Sequence, residues 1–359
     1  MTNIAVVIPY YQREPGILKR ALASVYDQSL PSRSKLEVIV VDDCSPSPPG
    51  RELEGPSPSN ISVRVIARSN GGPAVARNTG LEASRSADYF AFLDSDDQWV
   101  EDHLDRAIKT LGAEADFYFS NQATSSIGDN ISRFEEICLE YASRPFGDTR
   151  LPASIVARDP SNPIISPIGP EGSYSFQNGE ALTALLRSFL PHMSTTVIRA
   201  STLGHVRFQA DLRSAGEDYL YFLSLAGIAK EVRFSKHVGA IRGRGVSVYH
   251  GALAWEDPRS VNTILDNYRC LLIAKKNILL SPIQQNIINR RISFRRLELV
   301  ARLASQFNKD KMINLRICQT VMRADPNVIL LFPLFFAQLV IRRLRHQQFI
   351  DGQRADELP

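Results

Sequence analysis

Cysteine is scarce in this 359-residue chain: Cys44, Cys138, Cys270 and Cys318 stand far apart and match no zinc-ligand or redox spacing. That excludes a disulfide-framed scaffold and a cysteine-built metal finger, and leaves reduced thiols in a cytoplasmic protein as the simplest reading. The opening residues, MTNIAVVIPYYQ, lack the charged n-region and cleavage site of a secretory signal. Internal repeats and low-complexity tracts are lacking too. The apolar run Val328–Ile341 holds only fourteen residues, with Pro333 and Gln338 inside it. That is short of the ~20 a spanning helix needs. What is present is a composition 44% hydrophobic, enough for one large core or for a core and a smaller C-terminal unit.

The net charge of +4 is unevenly spread: Val261–Pro359 carries 16 Lys and Arg against 7 Asp and Glu, a balance of +9 that leaves −5 for residues 1–260. Such a tail suits a polyanionic partner, either nucleic acid or an anionic lipid surface, and charge alone does not choose between them.

The first ~120 residues alternate short apolar runs with helical periodicity, as a mainly parallel sheet with crossover helices does. Strands are predicted at Ile4–Pro9, Leu36–Val41, Ser62–Ala67 and Tyr89–Leu93, with helices from about Gly16 to Gln28 and after Pro73. Six prolines between Arg144 and Asn178 predict a long irregular insertion. Order resumes at Gly179–Leu190, Ser194–Ile198 reads as a strand, and a helix runs from about Gly216 to Leu225. Beyond Pro258 the pattern is helical throughout.

Two acidic clusters, Asp42-Asp43 and Asp94-Ser95-Asp96-Asp97, directly follow predicted strands. Ligands of open α/β sheets sit beyond the carboxyl ends of strands, and carboxylates crowded there repel unless a cation neutralises them. A metal-and-phosphate site is the expectation. Taken singly, each feature has a plain alternative: an acidic turn for Asp94–Asp97, a helix or turn cap for Asp43, a solvated helix face for Arg77. The order of the features is more specific than any one of them. Pro9-Tyr10-Tyr11 ends the first strand and Asp42-Asp43 the second. Gly71-Gly72-Pro73 then leads to Arg77-Asn78, Asp94-x-Asp96 follows the fourth strand, and Gly216-Glu217-Asp218 lies about 120 residues on.

This ordered set resembles the family 2 glycosyltransferases of the GT-A fold, over roughly residues 3–250. The stretch VVIPYYQREPGILKRALASV, HMS at 192–194 and RGRGVSVYH at 242–250 resemble most the bacterial glucosyltransferases that assemble succinoglycan-type exopolysaccharide. The resemblance implies that Asp96 ligates Mg2+ or Mn2+, with Asp94 nearer the ribose. It implies that Pro9, Tyr11 and Asp43 line the base pocket, Asp43 accepting from uracil N3. Arg77 would lie near uracil and the phosphates, and Asp218 of the Glu217-Asp218 pair would be the general base. Trp99 could stack on a sugar face or be plain core; His192 could line the acceptor site or be a structural histidine.

Two departures stand out. Gln12-Arg13 replace the Asn that usually follows the strand-one Tyr. Arg242-Gly243-Arg244 stands where an Arg-x-His pattern is common; Arg242 and Arg244 can meet diphosphate, but arginine cannot ligate a metal.

The reading is therefore an α/β GT-A domain over 1–257 and a helical, basic segment over 258–359. The expected reaction is inverting transfer of a hexose, by resemblance glucose from UDP-glucose, onto a lipid-linked oligosaccharide at the cytoplasmic face of a membrane. The apolar run before Arg342-Arg343-Leu344-Arg345, and Arg295-Arg296 on the helix at Ile292–Leu303, favour a tail lying on anionic lipid over one docked on the core. Nucleic acid is not expected, because the basic residues show no aromatic interleaving or known module. The alternatives are a non-catalytic nucleotide-sugar or polysaccharide-binding scaffold and a nucleotidyltransferase, though Tyr10-Tyr11-Gln12-Arg13 is not the Gly-rich loop the latter needs.

Overall fold

Residues Ile4–Ile8 are an unbroken run of aliphatic side chains, and a strand of that kind is stable only when both of its faces are covered. The computed structural model describes residues 2–53, 57–84, 86–124, 165–169, 172–176, 179–187, 191–243, 259–310, 315–326, 328 and 333. In it the run forms β1 (Thr2–Tyr10), with every residue from Ile4 to Ile8 buried. β1 lies between β2 (Ser34–Asp42) and β4 (Tyr89–Phe92), parallel to both, and β3 (Ile61–Ala67) runs parallel to β2. Tyr10 pairs with Asp42, Asp42 with Ala67, and Val7 with Phe92, so the four carboxyl ends reach one edge.

The sheet continues through β5 (Gln98–Trp99), β6 (Phe117–Thr124), β7 (Ile165–Ile168), β8 (Ser173–Phe176), β9 (Val197–Arg199) and β10 (Val232–Arg242). Its order is β3-β2-β1-β4-β9-β6-β10-β8-β7, with β5 pairing β10. β6 and β10 are parallel; β9 is antiparallel to both β4 and β6, and β8 to both β10 and β7.

Crossover helices α1 (Ile17–Tyr26), α2 (Pro73–Ala83) and α3 (His103–Leu111) follow β1, β3 and β5. α1 buries Leu18, Ala21, Leu22 and Val25, an i, i+3, i+4, i+7 face. Each large aliphatic residue buried this way contributes about 1.5–3 kcal/mol. α4 (Glu180–Arg187), a single turn α5 (Ala200–Leu203) and α6 (Glu217–Ile228) complete this part.

Two sequence expectations need correction. Within the expected irregular insertion, β7 and β8 form a hairpin at the sheet edge; the rest of it lies outside the described residues. Pro167 is tolerated there because β7 is the outermost strand, where a missing N–H costs no ladder bond. The expected strand Ser194–Ile198 is instead a 3-10 turn at Met193–Thr195 and then the short β9. The Thr195 and Thr196 hydroxyls donate to the His192 carbonyl at 3.0 and 2.9 Å, and this local bonding competes with a strand.

The chain divides into two compact units: Met1–Arg213 with Glu217–Ser247 and Ile278–Gln284, and Ser214–Gly216 with Val248–Asn277 and Gln285–Pro359. A single cut at 257 does not describe this division, since 278–284 returns to the first unit. The C-terminal helices are α7 (Ser260–Asn277), α8 (Pro282–Asp310) and α9 (Leu315–Ala324). Within the second unit the buried Tyr268 hydroxyl and Arg296 both bond Asp325, and Arg296 donates to Tyr268 at 3.0 Å. Arg295 pairs with Glu298. Both arginines expected to face lipid are thus engaged within the unit. The run Val328–Ile341 and the arginines after it lie outside the described residues except Val328 and Pro333, and no described helix is long and apolar enough to cross a membrane.

α2 rests on β1 through Gly80, where an added Cβ would stand 2.4 Å from Val7 Cγ1. Gly80→Ala gains about 1 kcal/mol of helix propensity and loses about 1–3 to overpacking. A net loss of stability is expected in urea denaturation, partly recovered by adding Val7→Ala. An unchanged midpoint in the single variant would refute the close contact.

Candidate active site

The carboxyl ends of β1 and β2 build the first part of the site. Asp43 is buried, and its carboxylate accepts from Arg68, from the Gly71 amide at 2.9 and 3.1 Å and from the Gly72 amide at 2.7 Å. Gly72 has φ 90° and opens α2 without a side-chain cap of its own, so Asp43 caps that turn from a distance. Pro9 and Tyr11, at the end of β1, are both half-buried. The neighbouring Gln12 is buried and donates to Ser95 Oγ at 3.0 Å, tying the end of β1 to the acidic loop.

That loop, Asp94–Asp97, follows β4. Asp94 accepts from Arg77 at 2.8 Å. Burial pushes the Asp94 carboxyl up, but Arg77, His192 and Arg242 outweigh it and hold it below the usual carboxylate range. The Asp96 carboxyl is pushed up to about 6, by burial first and then by Asp94 and Asp97. Asp97 is 2% exposed and is also pushed up to about 6, by burial and Asp94. Its carboxylate accepts from Ser194 Oγ at 2.6 Å, Gln122 Nε2 at 3.2 Å and the Gly243 amide at 3.0 Å.

α6 supplies the third part. Glu217 and Asp218 occupy its first turn, where the helix dipole favours negative charge. Arg77, only 5% exposed, reaches Glu217 at 3.5 Å as well as Asp94, and its guanidinium lies 5.4 Å from the centre of the Phe208 ring. Asn78 exchanges two hydrogen bonds with the Phe208 backbone, at 2.9 and 2.8 Å, which fixes the segment leading to α6. Glu217 is pushed up to about 7 by burial and by Asp218, against the pull of Arg77. Asp218 is raised for the same first cause, burial, with Arg77 opposing. A carboxylate raised in this way is a stronger base at neutral pH.

Arg77, Asp94, Asp96, His192, Glu217, Asp218 and Arg242 are therefore brought into one electrostatic cluster, with Asp43, Pro9 and Tyr11 on the same edge of the sheet. His192 caps the 193–195 turn, its Nδ1 accepting from Ser194 N at 3.4 Å. Trp99 is not at a sugar-binding surface: it is 4% exposed, belongs to the core, and donates to the Ser194 carbonyl. Arg244 lies outside the described residues. The sequence reading assigned no role to Asp97, Gln12, Ser194 or Arg68. Asp97 and Ser194 sit inside the quoted DSDD and HMS strings, but nothing local marks which of their neighbours they join.

A model of the family described as glycosyl transferase family 2 matches residues 5–154. The chain is also 37% identical over 254 residues to the succinoglycan biosynthesis protein ExoW of Rhizobium meliloti, a match covering 70% of this chain and 72% of that protein. The chain belongs to glycosyltransferase family 2. Its fold is GT-A, similar to solved members of that fold. TarS of S. aureus in complex with UDP-GlcNAc aligns with TM-score 0.54 at 17% identity, over 92% of this chain and 81% of that one. The mannosyltransferase PcManGT of Pyrobaculum calidifontis, in complex with GDP-Man and Mn2+, aligns with TM-score 0.53 at 15% identity, over 97% and 84%.

The residues of this family member fit the divalent metal that the resemblance implies. Asp96 has no side-chain partner among the described residues, and its raised pKa is what a neighbouring cation would relieve. Among the described residues no three His, Cys, Asp or Glu side chains group to hold a metal by themselves.

The raised Glu217 carboxyl has a pH consequence. A carboxyl raised on folding stabilises the fold below its unfolded pKa of ~4.3, and that contribution is lost as pH rises through about 7. Glu217→Gln should therefore gain stability relative to wild type between pH 4.5 and pH 8, by on the order of 1–3 kcal/mol. Thermal melts at the two pH values check this, and a pH-independent difference would reject the shift.

Proposed function

We propose that this family 2 glycosyltransferase inverts the anomeric centre of a hexose, glucose from UDP-glucose, as it transfers it to a lipid-linked oligosaccharide in exopolysaccharide biosynthesis. The observation that carries the reading is Arg77 bridging Asp94 and Glu217, because it joins the donor-side loop to the helix that bears a base. The similarity to a succinoglycan biosynthesis protein supports the pathway class, and that to a UDP-GlcNAc complex supports a UDP-linked donor.

Asp218 would take the proton of an acceptor hydroxyl as its oxygen bonds to the anomeric carbon, while the bond from that carbon to the diphosphate oxygen breaks. His192, Arg77 and Arg242 lie around the carboxylates that face this reaction. Asp96 would hold Mg2+ or Mn2+, which when bound stabilises the negative charge gathering on the leaving diphosphate. Asp43, with Pro9 and Tyr11, would receive the base. Among the described residues, only Arg68 bonds the Asp43 carboxylate through its side chain, so displacing that guanidinium would free a lone pair for uracil N3–H. The proposed catalytic part is residues 1–257, with 258–359 as a basic helical segment.

A nucleotide-sugar panel with Mn2+ tests the reading. UDP-glucose should be turned over, and both EDTA and Asp96→Ala should abolish transfer. Asp218→Asn should lower transfer by roughly 10²–10⁴-fold and leave UDP binding intact. Full activity in EDTA, or loss of UDP binding in Asp218→Asn, would overturn the metal and base assignments respectively. Turnover separates this reading from a binding scaffold, and release of UDP rather than pyrophosphate separates it from a nucleotidyltransferase.

For the tail we propose peripheral attachment at the inner face of a membrane, supported by the +9 balance after residue 260. Full-length protein should sediment with anionic vesicles at low salt and be released at high salt, as charges are screened beyond about 8–10 Å. Protein that stays in the supernatant at low salt would decide against attachment.

A further inference from the structure

Asp97 is the carboxylate of the acidic loop that accepts the most hydrogen bonds among the described residues, and nothing in the proposed chemistry uses it. Its three donors come from three separate elements: Ser194 Oγ from the turn before β9, Gln122 Nε2 from β6, and the Gly243 amide just past β10. All three are neutral, and the nearest cationic candidate, His192 Nδ1, is 3.9 Å away. A buried carboxylate whose hydrogen-bond donors are all neutral is an expensive way to fill space, so this arrangement needs another explanation than stability. A carboxylate has two oxygens that only accept: here Oδ1 takes the Gly243 amide, and Oδ2 takes Ser194 Oγ and Gln122 Nε2.

The Gly243 contact reaches the reactive groups. A Cβ at Gly243 would stand 1.5 Å from the Asp96 carbonyl oxygen, so the backbone there presses directly against the backbone of Asp96. Arg242, one residue earlier, acts electrostatically on Asp94, Asp96 and Asp97.

We propose that Asp97 is a positioning residue for donor binding. It pins the Gly243 backbone against Asp96 and so fixes both the Asp96 carboxylate and the Arg242 guanidinium where a metal-bound nucleoside diphosphate would lie. The inference rests on the proposed donor reading. It adds that Asp97 works by hydrogen-bond geometry, not by its charge.

Asparagine separates these two roles. The Gly243 amide can only donate, and the Oδ1 of an asparagine still accepts from it. The Ser194 hydroxyl and the Gln122 amide can each turn round and accept from the new Nδ2. A base would not survive that change, and a metal ligand would lose the negative charge that supplies most of its hold on the cation.

The test is calorimetric titration of the full-length protein with UDP, and separately with GDP, in the presence of Mn2+. Asp97→Ala should weaken binding by roughly 10–100-fold, and Asp97→Asn should stay within about threefold of wild type. Should Asp97→Ala fail to fold, Gln122→Ala and Ser194→Ala each remove one contact and should weaken binding by a smaller factor. The inference is overturned if Asp97→Asn is as defective as Asp97→Ala, which would assign Asp97 a charge role such as metal ligation. It is overturned equally if Asp97→Ala, or the two single-contact variants in its stead, bind as wild type does; the donor reading then stands. Wild type that binds neither nucleotide removes the donor reading itself, and this inference with it.

Discussion

Five carboxyl groups, Asp94, Asp96, Asp97, Glu217 and Asp218, converge at the carboxyl edge of the sheet, and one largely buried guanidinium, Arg77, stands among them. Burial alone would drive all five toward the protonated state. Their cationic neighbours set them apart: Arg77 at hydrogen-bond distance holds Asp94 ionised, Asp96 and Asp97, opposed by Arg242 and not by Arg77, are pushed up to about 6, and Glu217 is pushed up to about 7 against Arg77. Groups of one chemical type thus become unequal in basicity, which is what acid–base and charge-stabilising roles in one site require. Removing Arg77 would leave its two partners in mutual repulsion and cut the link between the β4 loop and α6.

The sheet makes that crowding possible. β2 and β4 run parallel to β1, and their register puts Asp43, just after β2, and Asp94, just after β4, beyond one edge. Gly80 lets α2 lie close on β1, and Arg77, one turn earlier, reaches Asp94 at the edge. Asn78 then holds the Phe208 segment, and with it the approach to α6, against the same helix. The acidic loop after β4 and the first turn of α6 therefore share a single support, and support of this kind is how a site keeps its geometry without strain in the loops.

The second unit has its own internal logic. Tyr268, Arg296 and Asp325 form a hydrogen-bonded cluster across α7, α8 and the end of α9. Truncating one member of such a group strands the others, so these charges specify helix pairing more than they advertise a surface. The basic excess available to a membrane is correspondingly smaller than a count of arginines suggests.

The sequence alone determined the α/β class, the four parallel strands, their acidic ends and the Arg77-Asn78 helix, because hydrophobic period and turn chemistry are local signals. Side by side with the family resemblance, it also picked out Asp94, Asp96 and Asp218. Tertiary structure decided what local patterns do not encode. Trp99 followed by a helix looks the same whether it faces solvent or core, and only its tertiary packing among α1, α3 and the sheet buries it. Asp43 reads as a base contact or as a cap, and the fold places the Gly71 and Gly72 amides on its oxygens. The Ser194–Ile198 run has strand composition, yet hydroxyl bonds to His192 O turn it. Asp97 joins residues 25, 97 and 146 positions away in the chain, and no periodicity reports contacts of that range.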